Sequence, residues 1–177
     1  REAIVAIVER YKSFVGVEGL GRSVLQDALQ RPEDYFDLAP LDEIRGIADG
    51  SGLPYRHVLA YNLDSALFPE YGSGCTQIGL SQVAEGSESE RQVTHAVNED
   101  SPLLLHLGDV VSRVVQVREP ERAGAHVLFS LAGQVGGPNG VSASGLSVTS
   151  CVLLDRSHAG DHAKGLIHPV LIRKILE

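Results

Sequence analysis

Tyr71-Gly72-Ser73-Gly74-Cys75-Thr76-Gln77 is a glycine-rich approach to a thiol, and it divides the chain into two parts of different character. Before it, apolar residues recur at helical spacing. After it, the residues favour strands. A cysteine that follows a flexible segment and opens a strand is sterically accessible. By itself it reads in two ways: as a small buried hydrophobe, or as a nucleophile.

Upstream, Ile4, Val5, Ile7, Val8 and Tyr11 form one apolar stripe of a helix, broken by Gly16, Gly19 and Gly21. Arg22 to Gln30 is a second helix, ended by Pro32. Pro40 to Gly50 is a third, with proline at its start, acids in its first turn and Gly50 as its stop. Pro54 opens a fourth that places Val58, Leu59 and Asn62 on one side. Downstream, strands are predicted over Thr76–Val83, Gln92–Asn98, Val110–Val117, His126–Leu131 and Gly145–Leu154. Glu85–Arg91 is a polar loop and Gly133–Gly140 a turn-rich link. A helix begins at His168. Helices, then an antiparallel sheet, then a helix predict an α+β fold with helices layered on sheet. The last helix has barely formed when the sequence stops, and there is no Met at the start, so the expectation is a piece of a longer protein.

The composition narrows the function. The chain has 177 residues, 43% hydrophobic and 21% charged, which is ordinary for a globular domain. A net charge of −8 disfavours nucleic acid or an anionic membrane as partner, since both reward a basic face. No apolar run reaches the ~20 residues of a membrane span, and no signal-peptide pattern opens the chain. The expected location is therefore the cytoplasm. Two cysteines, Cys75 and Cys151, do not make a disulfide framework.

Gly74-Cys75-Thr76-Gln77 resembles the processing site of the acyl-coenzyme A:6-aminopenicillanic acid acyltransferase family, the C45 peptidases. Further motifs follow in order. Leu41-Asp42-Glu43-Ile44-Arg45-Gly46-Ile47-Ala48-Asp49-Gly50-Ser51-Gly52 resembles the family's Gly-Ile-Ala-rich helix ending. Val58-Leu59-Ala60-Tyr61-Asn62 is similar to the element after it. Asn98-Glu99-Asp100 falls where the family has Asn-x-Asp. Ala132 to Leu146 resembles its glycine-rich hairpin and following strand, and His168 to Glu177 its first helix after the sheet.

The resemblance implies a four-layer αββα N-terminal-nucleophile hydrolase, incomplete in this chain, with autoproteolysis between Gly74 and Cys75. Residues 1–74 would be a helical segment and 75–177 the first part of the catalytic domain, the two staying associated after the cut. Cleavage would give Cys75 an α-amine, with a reference pKa of about 8, as its own base. Cys75 would then form an acyl-enzyme from a linear amide or thioester, with water or an amine as acceptor. No cofactor is expected, although a coenzyme A thioester fits as substrate. Asp100 is implied as the carboxylate that orients nucleophile and amine, against a plain strand-end aspartate. Asn98 reads as a hydrogen-bond donor to substrate or as a turn residue. The backbone amides of Gly133 to Gly137, and Gly133, Gln134 and Val135 among them, read as oxyanion donors or as a tight linker. Where many family members have an asparagine late in the next strand, this chain has Cys151 or Val152.

Other patterns carry less. No papain-like or caspase-like motif surrounds Cys75. His158-Ala159-Gly160-Asp161-His162 lacks the spacing and third ligand of a metal site, so no metal is expected. Gly133–Gly140 contains Pro138 and precedes a strand, unlike a dinucleotide loop. Two other readings compete with the enzyme: a catalytically silent relative that binds an acyl ligand or a protein, and an unrelated α+β domain with an inert cysteine.

Overall fold

The helical half is built around the buried middle of one helix. The computed structural model describes residues 1–20, 23–67, 74–83, 86, 91–100, 106–110, 113–121, 124–151 and 165–177. Helices α1 (Glu2–Leu20), α2 (Ser23–Gln30), α3 (Leu38–Ser51) and α4 (Tyr55–Leu67) come first. In α4, Val58 through Leu63 are all buried, so this stretch of the helix is surrounded rather than laid on a surface. The stripe of α1 places Ile7, Val8, Tyr11 and Val15 in the same core. The break expected at Gly16 is a kink with φ 65°, after which the helix resumes to Leu20. The stop expected at Gly50 falls instead at Gly52, which adopts φ 77° and donates its N–H to Ala48 O at 2.8 Å. Because α3 begins at Leu38, Asp42 and Glu43 lie beyond its first turn.

The second half is antiparallel throughout. Strands β1 (Gly74–Val83) and β2 (Arg91–Asp100) pair as a hairpin. Strands β3 (Arg113–Arg118), β4 (His126–Leu131), β5 (Asn139–Ser142) and β6 (Ser147–Thr149) form a four-stranded sheet in that order. Helix α5 (His168–Leu176) closes the described chain. With helices and antiparallel sheets both present, the fold is α+β, as the pattern predicts. The predicted strand from Val110 starts only at Arg113, because Gly108–Val110 is a short helical turn with φ 52° at Gly108. The last predicted strand pairs only over Ser147–Thr149; Val152 to Leu154 lie outside the described residues. Strand β5 (Asn139–Ser142) begins in the last two residues of the stretch expected to be a link. Gly140 permits it there, since a Cβ would meet Val127 O at 2.6 Å.

The sheet has two unlike faces, because side chains alternate along a strand. One carries Leu128 and Val148 and packs on Ile172 and Leu176 of α5. That helix buries Pro169, Ile172, Arg173 and Leu176, an i, i+3, i+4, i+7 row. The other face carries Val115, Val117, Phe129 and Val141, which are exposed. The hairpin reaches this second face. His95 on β2 is hydrogen-bonded to Ser147 Oγ at 2.9 Å and to Thr149 Oγ1 at 3.0 Å, one through each ring nitrogen. Glu99 Oε1 accepts from Asn139 Nδ2 at 2.7 Å.

The halves are held together by both packing and charge. Leu107, Val135, Ile167 and Val170 belong to the same apolar cluster as the helices. Beside it, both oxygens of Glu43 on α3 accept from Arg118 on β3, at 3.0 and 2.8 Å. Arg173 on α5 lies 2.7 Å from Glu43 Oε1. Burial alone would push the Glu43 carboxyl up, but the two guanidiniums hold it below the usual carboxylate value of 4.5. A lowered folded-state pKa stabilises the fold above the unfolded value, and that contribution is lost as pH falls through the folded one. Glu43→Gln should therefore cost about 2 kcal/mol at neutral pH, less than at a fully enclosed pair. The gap to wild type should narrow in urea titrations taken progressively below pH 4.5.

Candidate functional site

Strand register decides what faces Cys75. Cys75 is the second residue of β1, a free thiol, half-buried. Its direct partner across the hairpin is Glu99, while Gly74 opposes Asp100. Residues directly opposite on an antiparallel pair share a face, with Cβ atoms about 5 Å apart. Cys75, Gln77, Gly79 and Ser81 therefore share the face of His95, Val97 and Glu99. That is the face turned toward the four-stranded sheet, through the His95 and Glu99 contacts.

Asp100 and Asn98 lie on the opposite face. They bond to each other, Asn98 Nδ2 donating to Asp100 Oδ2 at 2.9 Å, and both are exposed. The alternation thus separates the carboxylate implied by the Asn-x-Asp resemblance from the thiol. In its place the intervening residue of that motif, Glu99, comes opposite the cysteine. Glu99 is also 3.7 Å from a guanidinium nitrogen of Arg113. Asn139, which holds Glu99, is buried at 7% exposure, and its Oδ1 is buried with no hydrogen-bond partner among the described residues. The residue-type reading missed this pair; the signal available in the sequence was only the parity of Glu99 relative to Cys75 once a hairpin was assumed.

The turn between β4 and β5 lies at the same end of the sheet, since Phe129 pairs with Asn139 next to it. It is held tightly. Gly133 has φ 88° and lies against Ile4 and Tyr61. Asn62 of α4 reaches both sides of it: Nδ2 donates to Gly133 O at 3.0 Å and Oδ1 accepts from Val135 N at 2.9 Å. Gln134 N donates to Leu131 O at 3.1 Å and Gly137 N to Pro169 O at 3.3 Å. The amides of Gln134 and Val135 are therefore committed inside the protein rather than presented to a ligand. Gly136 and Gly137 have a packing reason as well: a Cβ on either would meet backbone at 2.5 Å, from Pro169 and Phe129. So Cys75 and the Gly133 turn are brought to one end of the sheet, while Asn98 and Asp100 face away.

Other chemistry is placed elsewhere. A cavity of about 300 Å³ lies among Glu43, Arg118, His126, Arg173 and Glu177, on the face of the sheet that packs on α5, away from Cys75. Its arginines already answer Glu43 and Glu177. Cys151 is free and exposed, and Val152 lies outside the described residues, as does the His158–His162 pattern. Among the described residues no group of three or more His, Cys, Asp or Glu is placed to hold a metal ion. Among them, too, no helix is long and apolar enough to cross a membrane.

No family model, no curated protein and no solved structure matches this chain.

Asn62 is the side chain on which the turn depends. Asn62→Ala leaves the buried Val135 amide and one bond to Gly133 O unanswered, at about 1–3 kcal/mol per orphaned group. Thermal unfolding should fall by roughly 5 °C or more, at the few degrees per kcal/mol of a chain this size. Asn62→Asp should not restore it, because the carboxylate cannot donate to Gly133.

Proposed function

We propose that this chain is a self-processing amidohydrolase or acyltransferase of the N-terminal-nucleophile type, with Cys75 as nucleophile after a cut between Gly74 and Cys75. The observation that carries the reading is the place of Cys75: a free, half-buried thiol at the opening of a strand, after the glycine-rich segment, on the hairpin face turned to the sheet. The stacking of α5, the four-stranded sheet and the hairpin supports a layered αββα architecture.

The chemistry balances as follows. The Cys75 thiol adds to the Gly74 carbonyl and its proton goes to the Cys75 nitrogen as the C–N bond breaks, which leaves a thioester and a free amine. Water hydrolyses the thioester to a Gly74 carboxylate and returns the thiol. The amine then serves as base while the thiol takes an acyl group from a linear amide or a thioester. Water or an amine releases it. A coenzyme A thioester is one donor of that class. Gly133 and Gly136 supply the remaining amides of the β4–β5 turn as candidate donors to the oxyanion.

The cut separates little. Asn62 to Gly133 and Val135, Glu43 to Arg118 and Arg173, and Asp37 to Lys174 at 2.6 Å all join residues before 74 to residues after 75. Residues 1–74 and 75–177 are therefore partners after processing.

Purified protein should give two fragments that co-elute in gel filtration, and N-terminal sequencing of the second should begin Cys75-Thr76-Gln77. Cys75→Ala should run as one chain. An intact wild-type chain that still turns over acyl donors would remove the processing step from this reading.

A further inference from the structure

The register of the hairpin assigns a partner to the amine that processing creates. We propose that Glu99 and Asn139 are the positioning pair of the Cys75 site, receiving the α-ammonium of Cys75 once the bond to Gly74 is cut. The inference rests on the reading of Cys75 as an N-terminal nucleophile.

Glu99 is directly opposite Cys75 in the ladder and on its face, whereas Asp100 is opposite Gly74 and on the other face. Its carboxylate is oriented from the sheet side: Oε1 by Asn139 Nδ2 at 2.7 Å, Oε2 toward Arg113 at 3.7 Å. Asn139 contributes an independent sign that something else belongs here. The residue is buried to 7% exposure; its carboxamide donates to Glu99, and among the described residues its Oδ1 has no hydrogen-bond partner. A buried carboxamide oxygen without a donor is costly and uncommon in folded proteins. An α-ammonium brings three N–H donors, enough to answer both a carboxylate and an orphan carbonyl oxygen, and the register sets Cys75 opposite the residue that Asn139 holds. In the uncut chain the Cys75 nitrogen is a peptide amide with a single N–H, so the site is completed by the cut.

The electrostatic consequence has a definite sign. A carboxylate beside an ammonium favours the charged form and raises its pKa, so Glu99 orients the amine and delays its deprotonation. Removing that charge without changing shape should release the base at lower pH and lose orientation together.

The test uses the mature two-fragment protein and p-nitrophenyl acetate as acyl donor, with kcat and KM measured against pH. Glu99→Gln should move the rising limb of kcat down by about 1 pH unit, and lower kcat roughly tenfold with KM little changed. Glu99→Asp, which keeps the charge, should keep the wild-type limb. A Glu99→Gln profile that overlays wild type overturns the proposal, and so does the same shift produced by Asp100→Asn instead. Loss of processing in both Glu99→Gln and Glu99→Asp, with far-UV circular dichroism intact, also overturns it and marks the pair as scaffold. Failure of the underlying reading is seen separately, on wild type alone, as a chain that is never cut.

Discussion

The peptide groups of Val135 are the point on which the two halves of the molecule converge. The residue is 1% exposed, so neither its N–H nor its C=O meets water, and each must find a partner in the protein. Its N–H goes to Asn62 on α4 and its C=O accepts from Arg173 on α5 at 3.2 Å. Arg118 on β3 adds a longer contact of 3.4 Å to the same oxygen. Each arginine in turn is held by Glu43 on α3. One buried turn has thereby recruited side chains from two helices of the first half, one strand and the final helix. Apolar packing alone would bring these elements together without fixing their angles; the need to satisfy a buried backbone does fix them.

The same turn locates the thiol. Strand β5 leaves it at Asn139, and Asn139 holds Glu99, which stands across the hairpin from Cys75. The path from the helical core to Cys75 is thus short in bonds although long in sequence: Asn62 to the turn, the turn to Asn139, Asn139 to Glu99. A shared core and hydrogen bonds between distant residues hold the described helices of the first half against the turn.

Charge is distributed so that the two faces of the sheet differ in character. Facing α5, Glu43, Arg118, Arg173 and Glu177 answer one another and close a scaffold. Facing the hairpin, His95 reaches the hydroxyls of Ser147 and Thr149, and Glu99 reaches the Asn139 amide and, at 3.7 Å, the Arg113 guanidinium, beside a sheet surface of exposed valines and Phe129.

The sequence by itself determined most element types and their order, because periodicity of 3.6 or 2 is written locally and the buried stripes were long enough to read, as in the stripe of α1 and the six-residue run of β4. It also determined the location of the thiol after its glycines. Boundaries set by a single backbone conformation escaped it, as at Gly52, where the left-handed cap and not the earlier Gly50 ends α3. So did β5, whose glycine reads as a turn until Leu176 and the Val127 carbonyl are seen to press on it. Only the tertiary structure decided which carboxylate stands opposite Cys75, because neighbouring acids in a strand point to opposite faces and a register is a property of two strands, not one. Only it gave Asn62, Glu43 and Asn139 their tasks, since each answers a backbone group or a charge that lies 40 to 130 residues away and has no trace in the local pattern.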